Sequence, residues 1–264
     1  MDEGEKGFVN ERQWDASRQA IVEFIGAFAL MFIGGASIIV TQDAGSSALL
    51  TVALAHGLAI GLMVAAAGHI SGGLYNPALT IGLMVTRKMP MQRGVMYIVS
   101  QLVGATVAAL ALKAIFHASE INPVHLGAPF VSSRYEVSAA LLAEIIATFF
   151  LMYAVFGTAV DPRGAKAIAP LVIGLVITID ILAIGPVSGA AMNPSRAFGP
   201  ELVQNFWNDW WIYWVGPIVG AVAAALLYDN VLGPGATTPV AGHVEVEPTT
   251  APRETRVPQR RRRR

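Results

Sequence analysis

Residues 71–78 read Ser-Gly-Gly-Leu-Tyr-Asn-Pro-Ala, and residues 188–195 read Ser-Gly-Ala-Ala-Met-Asn-Pro-Ser. In both stretches an asparagine, Asn76 or Asn193, stands directly before a proline. Asn is a preferred helix N-cap, and Pro at the first helical position has no N–H to lose. Each pair therefore predicts a helix that starts at the Asn. The segments that begin there are apolar or small but short: 76–86 and 193–204 hold 11 and 12 residues. At ~1.5 Å per residue, such a helix crosses only about half of a ~30 Å hydrocarbon layer. The residues before each Asn, Ser71 to Tyr75 and Ser188 to Met192, are glycine-interrupted and are expected to be extended. Non-helical backbone at membrane depth is tolerated only when buried in protein or lining a wet cavity. Two such segments entering from opposite faces would meet end to end near the midplane. The expected result is a narrow path lined by carbonyls, with two Asn side chains at its centre. A single Asn-Pro would also suit an ordinary turn. The half-helix reading rests on finding two of them in register with a repeat.

That repeat extends well beyond the Asn-Pro boxes. Residues 23–32 read Glu-Phe-Ile-Gly-Ala-Phe-Ala-Leu-Met-Phe, and residues 144–153 read Glu-Ile-Ile-Ala-Thr-Phe-Phe-Leu-Met-Tyr, an offset of 121. The Asn-Pro boxes repeat at an offset of 117. Six stretches are long enough to span a bilayer at ~20 residues each: 19–40, 48–68, 94–116, 137–160, 166–185 and 210–232. They are rich in Gly and Ala, which lets transmembrane helices approach closely, and they lack the alternation of a membrane barrel strand. Three spans per half is an odd number, so the halves insert with opposite topology, an arrangement that places a transport site at the repeat interface. The expected fold class is an all-α membrane protein: six transmembrane helices plus two re-entrant half helices in an inverted repeat.

Composition agrees. The 264 residues are 54% apolar and only 14% charged, with mean hydropathy +0.55 and no cysteine. Soluble domains carry roughly 25% charge. These values exclude a disordered chain, a collagen, a disulfide scaffold and a zinc-thiolate protein. The apolar body has no basic face for phosphates, so nucleic acid is not an expected partner. Formal net charge is zero, but unevenly so: −2 over 1–18, −2 over 19–233 and +4 over 234–264. We read 1–18 as a cytoplasmic N-terminal segment without the apolar core of a cleavable signal. Residues 19–233 form one channel-like domain with repeats at 19–116 and 137–232. Residues 234–264, ending in Arg260 to Arg264, read as a disordered cytoplasmic tail. With both termini on one side, that side holds 15 basic residues against three, Lys113, Arg134 and Arg196, on the other. Positive-inside logic puts the termini in the cytoplasm.

The chain resembles the aquaporin, or major intrinsic protein, family. The resemblance covers about 20–232. It is carried by Gly68-His69-Ile70-Ser71-Gly72 before Asn76-Pro77-Ala78, by Gly189 to Gly199 with Asn193-Pro194-Ser195-Arg196, and by Glu23 and Glu144. The second box departs from the family's usual Ala at its third position, where Ser195 stands. The resemblance implies a passive channel for water, with ammonia and hydrogen peroxide as further solutes. It implies an aquaporin-like fold, a homotetramer in a lipid bilayer, no cofactor and no metal. It places His56, Ile181, Ala190 and Arg196 at the selectivity constriction, a set similar to that of plant tonoplast intrinsic proteins. The cell membrane is the expected location.

Individual residues carry the chemistry. A charge at membrane depth costs at least ~2.5–3.5 kcal/mol, so Arg196 is a functional candidate by default. Asn76 and Asn193 can cap with the side-chain carbonyl and leave their NH2 donors facing the path. Both half-helix dipoles aim positive ends at that centre, a barrier to cations and hydronium. Glu23 and Glu144 are expected to accept hydrogen bonds from the non-helical segments. A proton-coupled transporter using them with Asp180 is the competing class. Glycerol channels of the family carry Asp after the Arg, where this chain has Ala197; with Tyr213-Trp214 this disfavours a glycerol facilitator. His69 reads as structural, Asp180 has no assigned role, and His125 in the 117–136 connection is a weak filter candidate. No nucleotide loop of the Walker type, nucleophile elbow or metal-ligand cluster occurs, so an enzyme is not expected.

Overall fold

The computed structural model describes residues 16–45 and 47–233. The expected N-terminal segment falls almost wholly, and the expected tail wholly, outside the described residues. The described residues form helices α1 (Ala16–Thr41), α2 (Ser47–Ser71), α3 (Pro77–Val85), α4 (Met91–Ile115), α5 (Ala118–Ile121), α6 (Val137–Val155), α7 (Ala169–Ser188), α8 (Pro194–Gln204) and α9 (Ile212–Leu227). One π turn extends α6 to Val160 and another extends α9 to Leu232. Six helices among the described residues are long and apolar enough to cross a membrane. No strand occurs among the described residues. The third span begins at Met91 and the second runs to Ser71, each three residues beyond its expected limit.

The repeat is visible in how the helices touch. Gly104 of α4 lies against the Phe24 backbone of α1, and Gly220 of α9 lies against the Ile145 backbone of α6. Phe24 and Ile145 are 121 apart, as are the first residues of the repeated motif. A Cβ on either glycine would overlap a carbonyl. Small residues are what permit such close helix crossings, since lipid supplies no hydrophobic drive between spans. Gly57 of α2 and Gly174 of α7, 117 residues apart like the Asn-Pro boxes, pack reciprocally, each against the other's carbonyl oxygen.

The short helices α3 and α8 start where expected. Asn76 and Asn193 cap them with near-identical backbone angles, φ −150° in both, and Pro stands next in each. The stretches before them are not extended as expected. Gly72, Gly73 and Tyr75 have φ of +96°, +65° and +51°, and Gly189, Ala190 and Met192 have +84°, +47° and +52°. Left-handed backbone costs a non-glycine residue about 1–2 kcal/mol, so three of these six positions, Tyr75, Ala190 and Met192, must be stabilised from elsewhere. The source is a pair of buried carboxylates toward which the left-handed turns point successive N–H groups.

Candidate functional site

Glu23 of α1 and Glu144 of α6 are fully buried. Glu23 accepts from Ser71 Oγ at 2.6 Å, Leu74 N at 3.1 Å, Tyr75 N at 2.7 Å and Gln101 Nε2 at 2.8 Å. Glu144 accepts from Ser188 Oγ at 2.7 Å, Ala191 N at 2.9 Å and Met192 N at 2.7 Å. A charge-assisted hydrogen bond is roughly twice as strong as a neutral one, and a lost partner leaves a buried donor costing ~1–3 kcal/mol. Each carboxylate thus fixes the loop that precedes an Asn-Pro box. Two tyrosines that the sequence reading did not assign to this role complete the pattern. Tyr97 OH donates to Ser71 O at 2.8 Å, and Tyr213 OH donates to Ser188 O at 2.9 Å. Their offset of 116 was a readable signal. Gln101 was also missed, and no offset could reveal it, because its counterpart is Pro217.

With the N–H groups drawn to the carboxylates, the loop carbonyls turn the other way. Asn76 Nδ2 donates to Met192 O at 2.9 Å, and Asn193 Nδ2 donates to Tyr75 O at 2.9 Å. The two half helices are thereby bonded to each other's loop. This corrects the expectation that both amide hydrogens of each Asn face the path: one of the two is used in the cross-link, and one remains. The side-chain carbonyls do cap. Asn76 Oδ1 accepts from Ala78 N at 2.9 Å, and Asn193 Oδ1 accepts from Ser195 N at 3.0 Å. The Ser195 hydroxyl, unassigned from sequence, donates to Asn193 Oδ1 at 2.8 Å.

One narrow path, with about 50 Å³ of water-accessible space, has Asn76, Asn193, His56, Ile181, Ala190 and Arg196 in its lining. Pro77, Ala78, Pro194 and Ser195 are buried at the helix starts and are not in its lining. The rest of the wall is aliphatic, with Ile60 and Ile177 at equivalent places in α2 and α7. At the Arg196 end the path meets a vestibule of about 480 Å³, to whose lining Arg196 also belongs. His56 Nδ1 lies 2.8 Å from Val52 O. A carbonyl can only accept, so Nδ1 carries the proton, and in the neutral ring Nε2 is an acceptor. The ring fits because residue 34 is Gly, where a Cβ would strike it.

Four other residues sit elsewhere. His125 stacks on Phe206, with ring centroids 3.9 Å apart, and lines neither the path nor the vestibule. His69 is exposed near the end of α2. Asp180 is buried in α7, with Oδ2 lacking a hydrogen-bond partner among the described residues. Glu201, which the sequence reading passed over, is buried in α8.

Fold and site together define a multi-pass helical membrane protein built as an inverted repeat, with two half helices meeting in a polar-and-aliphatic path. A family profile described as Major intrinsic protein matches residues 10–228. The chain belongs to the major intrinsic protein family. It is 43% identical to Aquaporin TIP4-4 of Zea mays over 81% of this chain and 86% of that protein. It is 40% identical to Probable aquaporin TIP3-2 of Arabidopsis thaliana over 85% of this chain and 87% of that one. Its fold is similar to the X-ray structure of the aquaglyceroporin from Plasmodium falciparum, with TM-score 0.72 and 25% identity over 83% of this chain and 97% of that chain.

Proposed function

We propose that the protein is a passive channel for water, with ammonia and hydrogen peroxide as further small neutral solutes, and that it excludes ions and protons. The carrying observation is the centre of the path, where two N-capping asparagines meet, each with one amide hydrogen to spare. A water there accepts from an Asn amide, while the aliphatic wall of Ile60 and Ile177 offers it nothing else. Both helix N-termini point at this spot, each worth roughly half a positive charge. A neutral dipole is oriented by that field, whereas hydronium and metal cations meet a barrier. Arg196 adds a fixed positive charge at the constriction with Ile181 and Ala190, and neutral His56 supplies an acceptor. Small Ala190 and aliphatic Ile181 make this constriction wider and less polar than an aromatic one.

The four donors gathered on Glu23 and the three on Glu144 support a structural role for both, against a proton-coupled carrier. The channel domain on this reading is 19–233. The chain works as a homotetramer in the cell membrane, as the family resemblance implies, and the 15-to-3 distribution of basic residues supports both termini in the cytoplasm. That orientation makes the Arg196 vestibule the outer mouth.

Stopped-flow osmotic shrinkage of proteoliposomes tests this. Shrinkage faster than in empty vesicles, unaffected by collapsing proton and sodium gradients, is expected. Transport that vanishes with the gradients would replace the channel by a coupled carrier. Glycerol uptake as fast as water would establish the glycerol facilitator instead. Arg196→Val should admit larger or cationic solutes, and an unchanged solute profile would remove Arg196 from the filter.

A further inference from the structure

We propose that Glu201 is the counter-charge of Arg196, a positioning residue that holds the guanidinium in the wall of the path. Both side chains belong to α8, five residues apart, and are 4% and 1% exposed for Arg196 and Glu201. Arg196 Nε and Nη1 are buried without a hydrogen-bond partner among the described residues. So are both carboxylate oxygens of Glu201. Two orphan donors and two orphan acceptors of opposite charge thus lie in one short helix, and each residue acts electrostatically on the other.

The neighbouring charged and polar groups are otherwise engaged. Glu144 also acts on Arg196, but it is already met by Ser188, Ala191 and Met192. Tyr213 OH is committed to Ser188 O, and Lys113 Nζ reaches Val203 O at 3.2 Å. An uncompensated buried charge is strongly destabilising, and removing one member of a buried pair is worse than removing both. The two groups are not in direct ion-pair contact, because five residues along a helix are ~7.5 Å of rise and ~140° of turn, so the coupling runs through bridging water. The repeat supplies an independent argument. At the same offset of 117, the first half has Leu79 and Met84, both apolar. The first half thus has neither charge and the second half has both.

That Arg196 serves selectivity rests on the channel reading, whereas its need for Glu201 does not. The test is a double-mutant cycle on the full chain, using the first half's own residues: Arg196→Leu, Glu201→Met and the double variant. Each single change should lower the melting temperature in detergent by roughly 6 °C or more. The double variant should lose much less than the sum, or fold where a single variant does not. Additive shifts overturn the pairing. Additive shifts with a widened solute range in Arg196→Leu leave the channel reading standing without the pair. Coupled shifts with an unchanged solute range leave the pair standing without the filter. If none of these variants folds, Glu201→Gln, which keeps the shape, carries the test in proteoliposomes. An unbalanced Arg196 should raise the nitrate-to-water flux ratio several-fold, and an unchanged ratio overturns the proposal.

Discussion

In the first half of the chain, Gln101 donates to both Glu23 and Thr80, and the Thr80 hydroxyl donates in turn to Asn76 O at 2.9 Å. At the corresponding places the second half has Pro217 and Ala197. Its own polar side chains around the box are Ser195, Arg196 and Glu201, where the first half has Ala78, Leu79 and Met84. The backbones nevertheless match, from the carboxylate that gathers the loop to the φ of the Asn cap. The shared geometry therefore comes from what the halves have in common: a buried Glu, a Ser, a Tyr, and an Asn-Pro. The remaining polar groups are free to differ, and they do so by purpose. The first half uses them to tie its box to its carboxylate. In the second half Ser195 bonds to the Asn cap, while Arg196, in the wall of the path, and Glu201 put two opposite charges into the half helix.

The widest test of this division removes the common element. Glu23→Ala strands four donors and Glu144→Ala strands three. At ~1–3 kcal/mol per orphaned buried donor, either loss rivals the ~5–15 kcal/mol stability of a typical protein. Neither variant should give monodisperse protein on size exclusion in detergent. A well-folded variant of one half alone would show that the two carboxylates are not equivalent.

Much of this architecture was legible in the sequence, because its signals are local. Asn before Pro announces a helix start whatever surrounds it, and a length of 11 or 12 residues announces half a membrane. Glu23 and Glu144 stood out because a carboxylate in an apolar span is strongly disfavoured unless it is satisfied. The left-handed turns at Tyr75, Ala190 and Met192 were not legible. Nothing in those side chains asks for positive φ; the carboxylates impose it from another helix. The cross-link from each Asn amide to the opposite loop was hidden for the same reason, since it joins residues more than a hundred apart. Gln101 escaped because the repeat was the guide, and Gln101 is where the repeat fails.

Gln101 is therefore the next point of pressure. Gln101→Leu removes the 2.8 Å bond to Glu23 and the 3.1 Å bond to Thr80, leaving the first carboxylate with three donors like the second. Loss of a buried hydrogen bond to a charged group is worth about 1.5–3 kcal/mol, which corresponds to a fall of roughly 3–12 °C in melting temperature. Gln101 does not line the path. Solute selectivity in proteoliposomes should therefore stay that of the parent chain. A selectivity change would mean that the first half also uses its polar groups to shape the path.

The smallest expected effect comes from making the second box like the first. Ser195→Ala deletes the 2.8 Å bond from the Ser195 hydroxyl to Asn193 Oδ1. The cap keeps its backbone bonds from Ser195 N at 3.0 Å and Arg196 N at 3.4 Å. A neutral hydrogen bond contributes about 0.5–1.5 kcal/mol net, so the melting temperature should fall by only ~1–6 °C. Asn193 keeps both its cap and its bond to Tyr75 O, because neither passes through the hydroxyl. The ratio of water to glycerol flux should therefore not move. If it does, the hydroxyl is orienting the Asn193 amide, and the second box differs from the first in function as well as in composition. The reciprocal Ala78→Ser separates the cases: Ala78 has no exposed surface, so an added oxygen must find Asn76 Oδ1 or strain its neighbours. A melting temperature held or raised by that change would show that the first box can take the same bond, and that its absence there is tolerated rather than required.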